Sequence, residues 1–178
     1  MRTRNWISIA ALASAMILGP AQIGHANDVD KRMAGMSAMQ KRIKALVPIM
    51  RGLSEYDADA VRSAADTVIA NSGDVMTELF PEGSNAPPSE ALDTIWEDWD
   101  GFAELANALA VTAEGMKRAA DNGLGGNQTG QGSGMMSDSA PDTALDADTL
   151  AGMPVDAAFA AMTKICSSCH SKFRAKKF

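Results

Sequence analysis

Apolar side chains recur every three or four residues along most of the chain, which is the spacing of one face of an α-helix. The first such segment covers about residues 28–50 and contains Val29, Met33, Met36, Ile43, Leu46 and Met50. The second covers about residues 57–80, and Asp57 stands where an N-cap residue would be. Each segment is therefore predicted to form one long helix.

The third and fourth segments show the same periodicity. The third begins after Pro87-Pro88, with Ser89 as its predicted cap, and its apolar stripe alternates steps of three and four residues. The fourth has Pro154 near its first turn, where proline is tolerated, and its stripe ends at Phe173. Four amphipathic helices predict an all-α protein, folded as an antiparallel four-helix bundle with its cofactor site among facing helices.

A Gly/Ser-rich segment separates the last two helices. Small and polar residues dominate residues 122–142, and they bury too little apolar surface to offset the entropy lost on ordering the backbone. We therefore expect a flexible loop there, followed by a partly ordered approach to the last helix. Met135 and Met136 are soft ligands in principle, but in such a loop we interpret them as incidental.

The first 26 residues have the composition of a secretory signal peptide. Two arginines precede an apolar run from Trp6 to Leu18, which is shorter than the roughly 20 residues that span a bilayer. Small residues then precede an expected cleavage site after Ala26, and an uncleaved anchor is the alternative. The sequence thus predicts a signal peptide at 1–26 and one domain at 27–178, exported to the periplasm without membrane insertion.

Loss of the signal peptide would leave 14 lysines and arginines against 22 carboxylates, a net charge of −8. Acidic proteins bind poorly to nucleic acids and to anionic membranes, so neither is expected as a partner. The net charge fits docking partners that carry positive patches, and it equally fits a protein kept soluble by charge repulsion.

The strongest chemical signal lies in the closing segment "KICSSCHSKFRAKKF". It holds both cysteines of the chain, Cys166 and Cys169, and His170, the only histidine after residue 26. A structural zinc site needs four ligands, and three are at hand. A thioredoxin-like dithiol belongs with a βαβ pattern, which the chain lacks, and a disulfide closing so short a loop would stabilise little.

C-x-x-C-H is instead the attachment motif of c-type haem. Two thiols three residues apart can reach the two vinyl groups of one porphyrin, and the next imidazole can bind the iron as proximal ligand. We therefore predict one covalent haem c, with thioethers from Cys166 and Cys169 and with His170 as iron ligand.

With this motif on the last helix, the chain resembles the class II cytochromes c, the cytochrome c′ family. "CSSCHSKFR" is similar to the family's ending, and "KRMAGM" is similar to its first-helix motif of an arginine followed four residues later by the distal residue. "ALVPIMRGLSEYDADAV" and "LFPEGSNAPPSEALDTIWEDWDGF" resemble its helix junctions. The resemblance covers about residues 28–178, and the long Gly/Ser-rich loop departs from it.

The resemblance implies that Arg174 lies near the proximal side of the haem and that Arg32 lies near a propionate. A solvent-facing arginine in a basic tail is the alternative for Arg174. We interpret Trp96 and Phe173 as core packing, and Asp98 as a solvated or capping carboxylate. Family members commonly pair through their first two helices, which leaves a homodimer open.

Met36, at the family's distal position, separates two functions. As an iron ligand it would give a six-coordinate, low-spin haem of raised potential, suited to carrying one electron between periplasmic partner proteins. As an uncoordinated lid it would leave a five-coordinate iron that binds or sequesters nitric oxide or carbon monoxide. We favour the carrier. An enzyme such as a peroxidase is not expected, because no second histidine remains after residue 26 for acid–base work.

Overall fold

The computed structural model describes residues 22–125 and 145–176, and these two ranges are mainly helical. Four long helices, α1, α2, α5 and α7, form the predicted bundle, and three short ones lie in the connections. The bounds are α1 Gln22–Met50, α2 Ala58–Ile69, α3 Asp74–Thr77, α4 Thr94–Glu97, α5 Trp99–Arg118, α6 Ala147–Ala151 and α7 Val155–Phe173. The all-α class is thereby confirmed.

Backbone hydrogen bonds at both ends show that α5 and α7 are antiparallel. At one end, the N–H of Val155 donates to the carbonyl of Gly123, just after α5, at 3.0 Å. At the other end, the N–H of Leu92, just before α4, donates to the carbonyl of Phe173 at 3.0 Å. The start of α7 therefore lies beside the end of α5.

The turn between α1 and α2 lies at the end of the bundle where α5 stops. Tyr56 belongs to this turn, and its hydroxyl donates to the carbonyl of Ala120. Because α1 ends there, it runs in the same direction as α5 and antiparallel to α2 and α7. The order of the long helices is therefore up, down, up, down.

The prediction of one second helix over residues 57–80 is wrong. The α2 helix ends at Ile69, and a separate short helix follows at Asp74–Thr77. Between them Gly73 has a φ of 62°, which breaks the helix and which residues with a β-carbon rarely adopt. Its N–H donates to the carbonyl of Ala106 at 2.9 Å, so the break is fixed against α5.

Of the two predicted caps, Asp57 is confirmed and Ser89 is wrong. The Asp57 carboxylate accepts two backbone N–H groups from the first turn of α2, both at 2.9 Å. Residues 90–92 instead bond to the backbone at the end of α7, so no helix can start at Ser89. The α5 helix is capped by Asp98, whose carboxylate accepts the N–H of Gly101 at 3.2 Å.

The expected flexible loop at 122–142 lies mostly outside the described residues, but its beginning is more ordered than predicted. The side-chain amide of Asn122 donates to the carbonyls of Ala151 and Met153 at 2.8 and 2.7 Å. These contacts join the end of α5 to the approach to α7. As predicted, that approach is partly ordered, and its helix α6 buries Leu150 completely.

Two further predictions concern residues beyond the described ranges. The apolar run of the signal peptide and the pair Met135-Met136 both lie outside them. The first helix begins at Gln22 rather than at residue 28, ahead of the expected cleavage after Ala26, and that cleavage stays a prediction. Within 22–125 and 145–176, no helix is long and apolar enough to cross a membrane.

The core is continuous from α1 to α7. Its largest fully buried side chains come from α1, α2, the two short helices α4 and α6, α5 and α7: Leu46, Val61, Val68, Ile95, Thr112, Met116, Leu150, Val155 and Met162. Burial of one such aliphatic side chain is worth about 1.5–3 kcal/mol. The core therefore depends on apolar residues from nearly every helix.

Gly115 allows α6 to pack directly on α5, and we expect Gly115→Ala to destabilise the fold. A β-carbon at this position would lie 2.5 Å from the Leu150 β-carbon, which requires one helix to move. Overpacking of this kind costs about 1–3 kcal/mol in the free energy of unfolding. Gly152→Ala is the control, because its nearest contact would be the Thr149 carbonyl at 3.6 Å. Equal unfolding midpoints of both variants in guanidinium chloride would contradict this packing.

Candidate haem site

The C-terminal half of α7 carries the cysteines and the histidine of the motif. Cys166 and Cys169 are one helical turn apart, half-buried, and packed against the core. Neither thiol is in a disulfide. His170 follows directly and is exposed. Because positions three apart on a helix are neighbours, the two sulfur atoms lie on one side of α7.

The two thiols have the environment of an anchor rather than of a redox-active pair. Burial raises the pKa of both, and the neighbouring Cys166 adds to the effect on Cys169, whose pKa rises to about 11. Both are therefore protonated near neutral pH. Redox-active C-x-x-C pairs have lowered thiol pKa values instead, so the structure does not favour the dithiol interpretation.

His170 has a neutral imidazole near pH 7. Although part of the residue is exposed, desolvation of the remainder lowers its pKa, and the positive charge of Arg174 lowers it further. A neutral imidazole has the free lone pair that metal binding requires. Two thiols on one side of a helix, followed by such an imidazole, fit the donor set of haem c.

A series of contacting aromatic rings sets the level of α1 relative to α7. The ring of Phe102 in α5 lies 4.8 Å from Phe80 and 5.5 Å from Phe173, measured between centroids. The guanidinium carbon of Arg32 in α1 lies 4.3 Å from the centroid of Phe80. Arg32 of α1 and Phe173 of α7 therefore lie at the same end of the bundle.

Met36 and Cys169 lie one turn further from that end. Met36 follows Arg32 by four residues and Cys169 precedes Phe173 by four, and the two helices run in opposite directions. Met36 is thus about 6 Å along α1 from Arg32, and Cys169 is about 6 Å along α7 from Phe173. Met36 is half-buried and packs against the same core as the cysteines. The fold brings Met36 and the haem motif to one level.

A narrow cavity of about 20 Å³, room for about one water molecule, opens beside Met36. Met39 and Met76 also line it, so three thioethers from α1 and α3 surround this space. Met39 is buried, whereas Met33 is 44% exposed. Of the methionines that flank Met36 in α1, only Met39 therefore shares its environment.

Arg32 is buried, and its guanidinium binds the loop that follows α3. One Nη atom donates to the Leu79 carbonyl at 3.1 Å and to Ser84 Oγ at 2.9 Å. The other donates to the Ser84 carbonyl at 2.5 Å and to Ser89 Oγ at 2.6 Å. In this structure both Nη atoms hold the loop, and a role beside a haem propionate stays a prediction.

Arg174 is exposed, and its Nε and Nη2 lie 2.8 and 2.7 Å from one carboxylate oxygen of Glu90. This placement corresponds to the solvent-facing alternative, and its predicted position near the haem is not tested.

Phe173 is buried and Trp96 is half-buried against the core, as predicted. Asp98, the cap of α5, also forms an ion pair with Lys172, so its interpretation as a capping carboxylate is confirmed.

Sequence analysis missed the residues that hold Arg32. Ser84 and Ser89 lie in a connection of irregular structure, where serine is common for many reasons and has no distinguishing pattern. Phe80 and Phe102 lie in segments predicted to be helical, and Phe102 stands in an apolar stripe, so their burial could be predicted from the sequence. Their contact with each other could not be predicted, because it joins two elements far apart in the sequence.

Comparison with known proteins agrees with this site. The sequence profile of the family described as Cytochrome C′ matches residues 27–137, more than half of the chain. A cytochrome c-554 from Cereibacter sphaeroides is 30% identical over 125 residues, 66% of this chain and 82% of that one. A cytochrome c-556 from Agrobacterium tumefaciens is 29% identical over 157 residues, 85% of this chain and 100% of that one.

The fold is also similar to solved structures. The cytochrome c′ from Thermochromatium tepidum superposes with a TM-score of 0.63 at 24% identity, covering 88% of this chain and 100% of that chain. At this identity the likeness concerns the fold alone. Together with the family match, these findings show that the chain belongs to the cytochrome c′ family of class II cytochromes c and is a c-type cytochrome with covalently attached haem c.

Proposed function

We propose that this protein carries single electrons between partner proteins in the periplasm. Cys166 and Cys169 would be the thioether anchors of one haem, His170 its proximal ligand and Met36 its distal ligand. Haem c, when bound, supplies an iron that cycles between the ferric and ferrous states. The contacts of Arg32 with Phe80, and of Phe102 with Phe80 and Phe173, carry the proposal, because they support a similar level for Met36 and the C-x-x-C-H motif on two antiparallel helices.

The surroundings of Met36 suit a thioether ligand. Met39, Met76 and Leu79 line the cavity beside it, together with the polar side chains of Lys31, Arg32 and Asn71, and its volume of about 20 Å³ holds about one water molecule. Met/His ligation raises a haem potential. A thioether from Met36 would therefore favour a high-potential site.

We propose no enzymatic role. Acid–base catalysis needs a titratable group within hydrogen-bond reach of the reacting atoms. The polar side chains that line the cavity beside Met36 are those of Lys31, Arg32 and Asn71, and among the residues described there none is a carboxylate or an imidazole. This lining supports ligation and packing around Met36 rather than proton transfer.

A second candidate function is the binding of a diatomic gas, which a solved structure of similar fold suggests. One structure of similar fold is a nitric oxide complex of a mutant cytochrome c prime from Alcaligenes xylosoxidans, with a TM-score of 0.60 at 20% identity. For this chain, gas binding would require Met36 to cover the iron without ligating it. Electron transfer and gas binding therefore differ in whether the Met36 sulfur is bonded to the iron.

The first prediction tests the covalent attachment. The exported protein should exceed the mass of its polypeptide by one haem, and the excess should survive denaturation because thioether bonds are covalent. The variant Cys166→Ala/Cys169→Ala should lack the added mass, while Ser167→Ala, an exposed neighbour between the cysteines, should keep it. Mass spectrometry gives the answer. A wild-type mass equal to that of bare polypeptide would contradict the assignment of these anchors.

The second prediction tests the distal ligand. We expect low-spin ferrous wild-type protein that does not bind carbon monoxide readily, because both axial positions are filled. Met36→Ala should turn the haem high-spin and allow rapid carbon monoxide binding, at a stability cost of roughly 2–5 kcal/mol. Optical spectra with and without carbon monoxide measure this difference.

Met33→Ala is the matched control, because Met33 lies in the same helix but is 44% exposed. It should keep the wild-type spectrum. If the wild type is already high-spin and binds carbon monoxide, Met36 is only a lid, and the gas-binding function replaces the carrier.

A further inference from the structure

Positive charge is concentrated in one segment of this acidic chain. Residues 31–54 contain six lysines and arginines and no aspartate or glutamate. The rest of the sequence after residue 26 contains eight lysines and arginines and 22 carboxylates. The net charge of −8 therefore conceals a basic segment, and nearly all of that segment belongs to α1 and the turn after it.

Five of these cations are exposed, and four of the five, Lys41, Arg42, Lys44 and Arg51, are here named the basic face. Within residues 22–125 and 145–176, none of the four has a carboxylate oxygen within 4.0 Å. Most other cations of the described residues are paired with a carboxylate, among them Lys31, Arg62, Lys117, Arg118, Lys172 and Arg174. The basic face therefore differs from the remaining surface, where most cations are paired.

Three members of the basic face lie on the exposed side of α1. Arg42 is about 100° around the helix from Lys41 in one direction and Lys44 is about 60° from it in the other, so the three span about 160°. Arg51 follows in the turn after α1. Leu53, two residues beyond Arg51, is 75% exposed and adds an apolar side chain at the end of this face. Apolar contacts bordered by charges are typical of protein–protein interfaces.

The basic face also lies close to the proposed electron-transfer site along α1. Lys41 follows Met36 by five residues and Lys44 by eight, which corresponds to about 8 and 12 Å along the helix axis. A partner seated on Lys41, Arg42 and Lys44 would therefore lie about one to two helical turns from Met36 along the axis, whereas Arg51 lies about four turns away.

We propose that the basic face is the docking surface for an acidic patch on a redox partner protein, an inference that rests on the proposed carrier function. Electron-transfer encounters are small and transient, and electrostatic complementarity speeds their formation. Among the residues that the structure describes, the four cations have no carboxylate partner, so an acidic surface would pair with them without displacing an ion pair seen there. The net charge of the chain predicts partners with basic patches. The positive charge of the basic face instead predicts an acidic patch on the partner that docks there.

Two other occupants are less favoured by the charges. An anionic membrane would attract the basic face, but the other 22 carboxylates would oppose close approach of the whole molecule. A second copy of this chain, in the homodimer that the family resemblance leaves open, carries the same net charge of −8 and is repelled overall. An acidic patch on a larger partner protein avoids both difficulties.

The test uses the haem-loaded protein and a fluorescent peptide of ten glutamates, followed by fluorescence anisotropy at low ionic strength. Wild type should bind the peptide despite its negative net charge, and added salt should weaken the binding. In Lys41→Gln/Arg42→Gln/Lys44→Gln the dissociation constant should rise about tenfold, as expected for three exposed ion pairs. The control Arg62→Gln/Lys117→Gln/Arg118→Gln has the same net charge and should change binding less than about twofold.

Equal weakening in both variants, or no binding by wild type, would overturn the proposal. Binding to phosphatidylglycerol vesicles but not to the peptide would assign the face to a membrane instead. A wild-type dimer in sedimentation equilibrium that the basic-face variant loses would assign it to a second copy. None of these readouts depends on axial ligation, so failure of the Met36 assignment in the carbon monoxide spectra stays distinguishable from failure of the docking surface.

Discussion

The level of α1 against the other helices depends on the buried guanidinium of Arg32. Its contact with the Phe80 ring connects α1 to the aromatic rings of α5 and α7, and its four hydrogen bonds hold the loop after α3. A cation–π contact is worth about 0.5–2 kcal/mol, and hydrogen bonds to a charged group about 1.5–3 kcal/mol each. Much of this gain offsets the cost of burying a charge. The main effect of Arg32 is therefore to fix the register of α1.

The register of α1 decides which of its residues lies opposite the C-x-x-C-H motif and could bind a haem iron as its second axial ligand. The C-x-x-C-H motif supplies donors from α7 alone, whereas a second axial ligand must come from another helix at the same height. A slip of α1 by one turn would move Met36 by about 5 Å and place another residue opposite the motif. The same scaffold can hold a ligating or a non-ligating residue there, so the family fold does not decide between electron transfer and gas binding. The thioether of Met36 is the basis on which we propose the former.

The charge of the whole chain and the charge of α1 differ in sign: the chain is acidic, whereas residues 31–54 are basic. The acidic total governs solubility and long-range repulsion, but docking is decided by the few groups that meet the partner. Internal pairing engages many cations of α2, α5 and α7, whereas Lys41, Arg42 and Lys44 of α1 lie exposed. The helix that carries the proposed distal ligand is thus also the helix with the most positive surface.

The sequence by itself determined the features that depend on local spacing. Helical periodicity predicted the four long segments, Asp57 was recognisable as a cap, and the C-x-x-C-H motif predicted haem c. The break at Gly73, the displaced start of α5 and the partners of Arg32 were decided only by the tertiary structure. Each depends on a contact between distant segments: Gly73 bonds to Ala106, residues 90–92 bond to the end of α7, and Ser84 and Ser89 bind a guanidinium about 50 residues earlier. Periodicity reports which face of a helix is buried, but not what it is buried against, because that depends on how the helices pack.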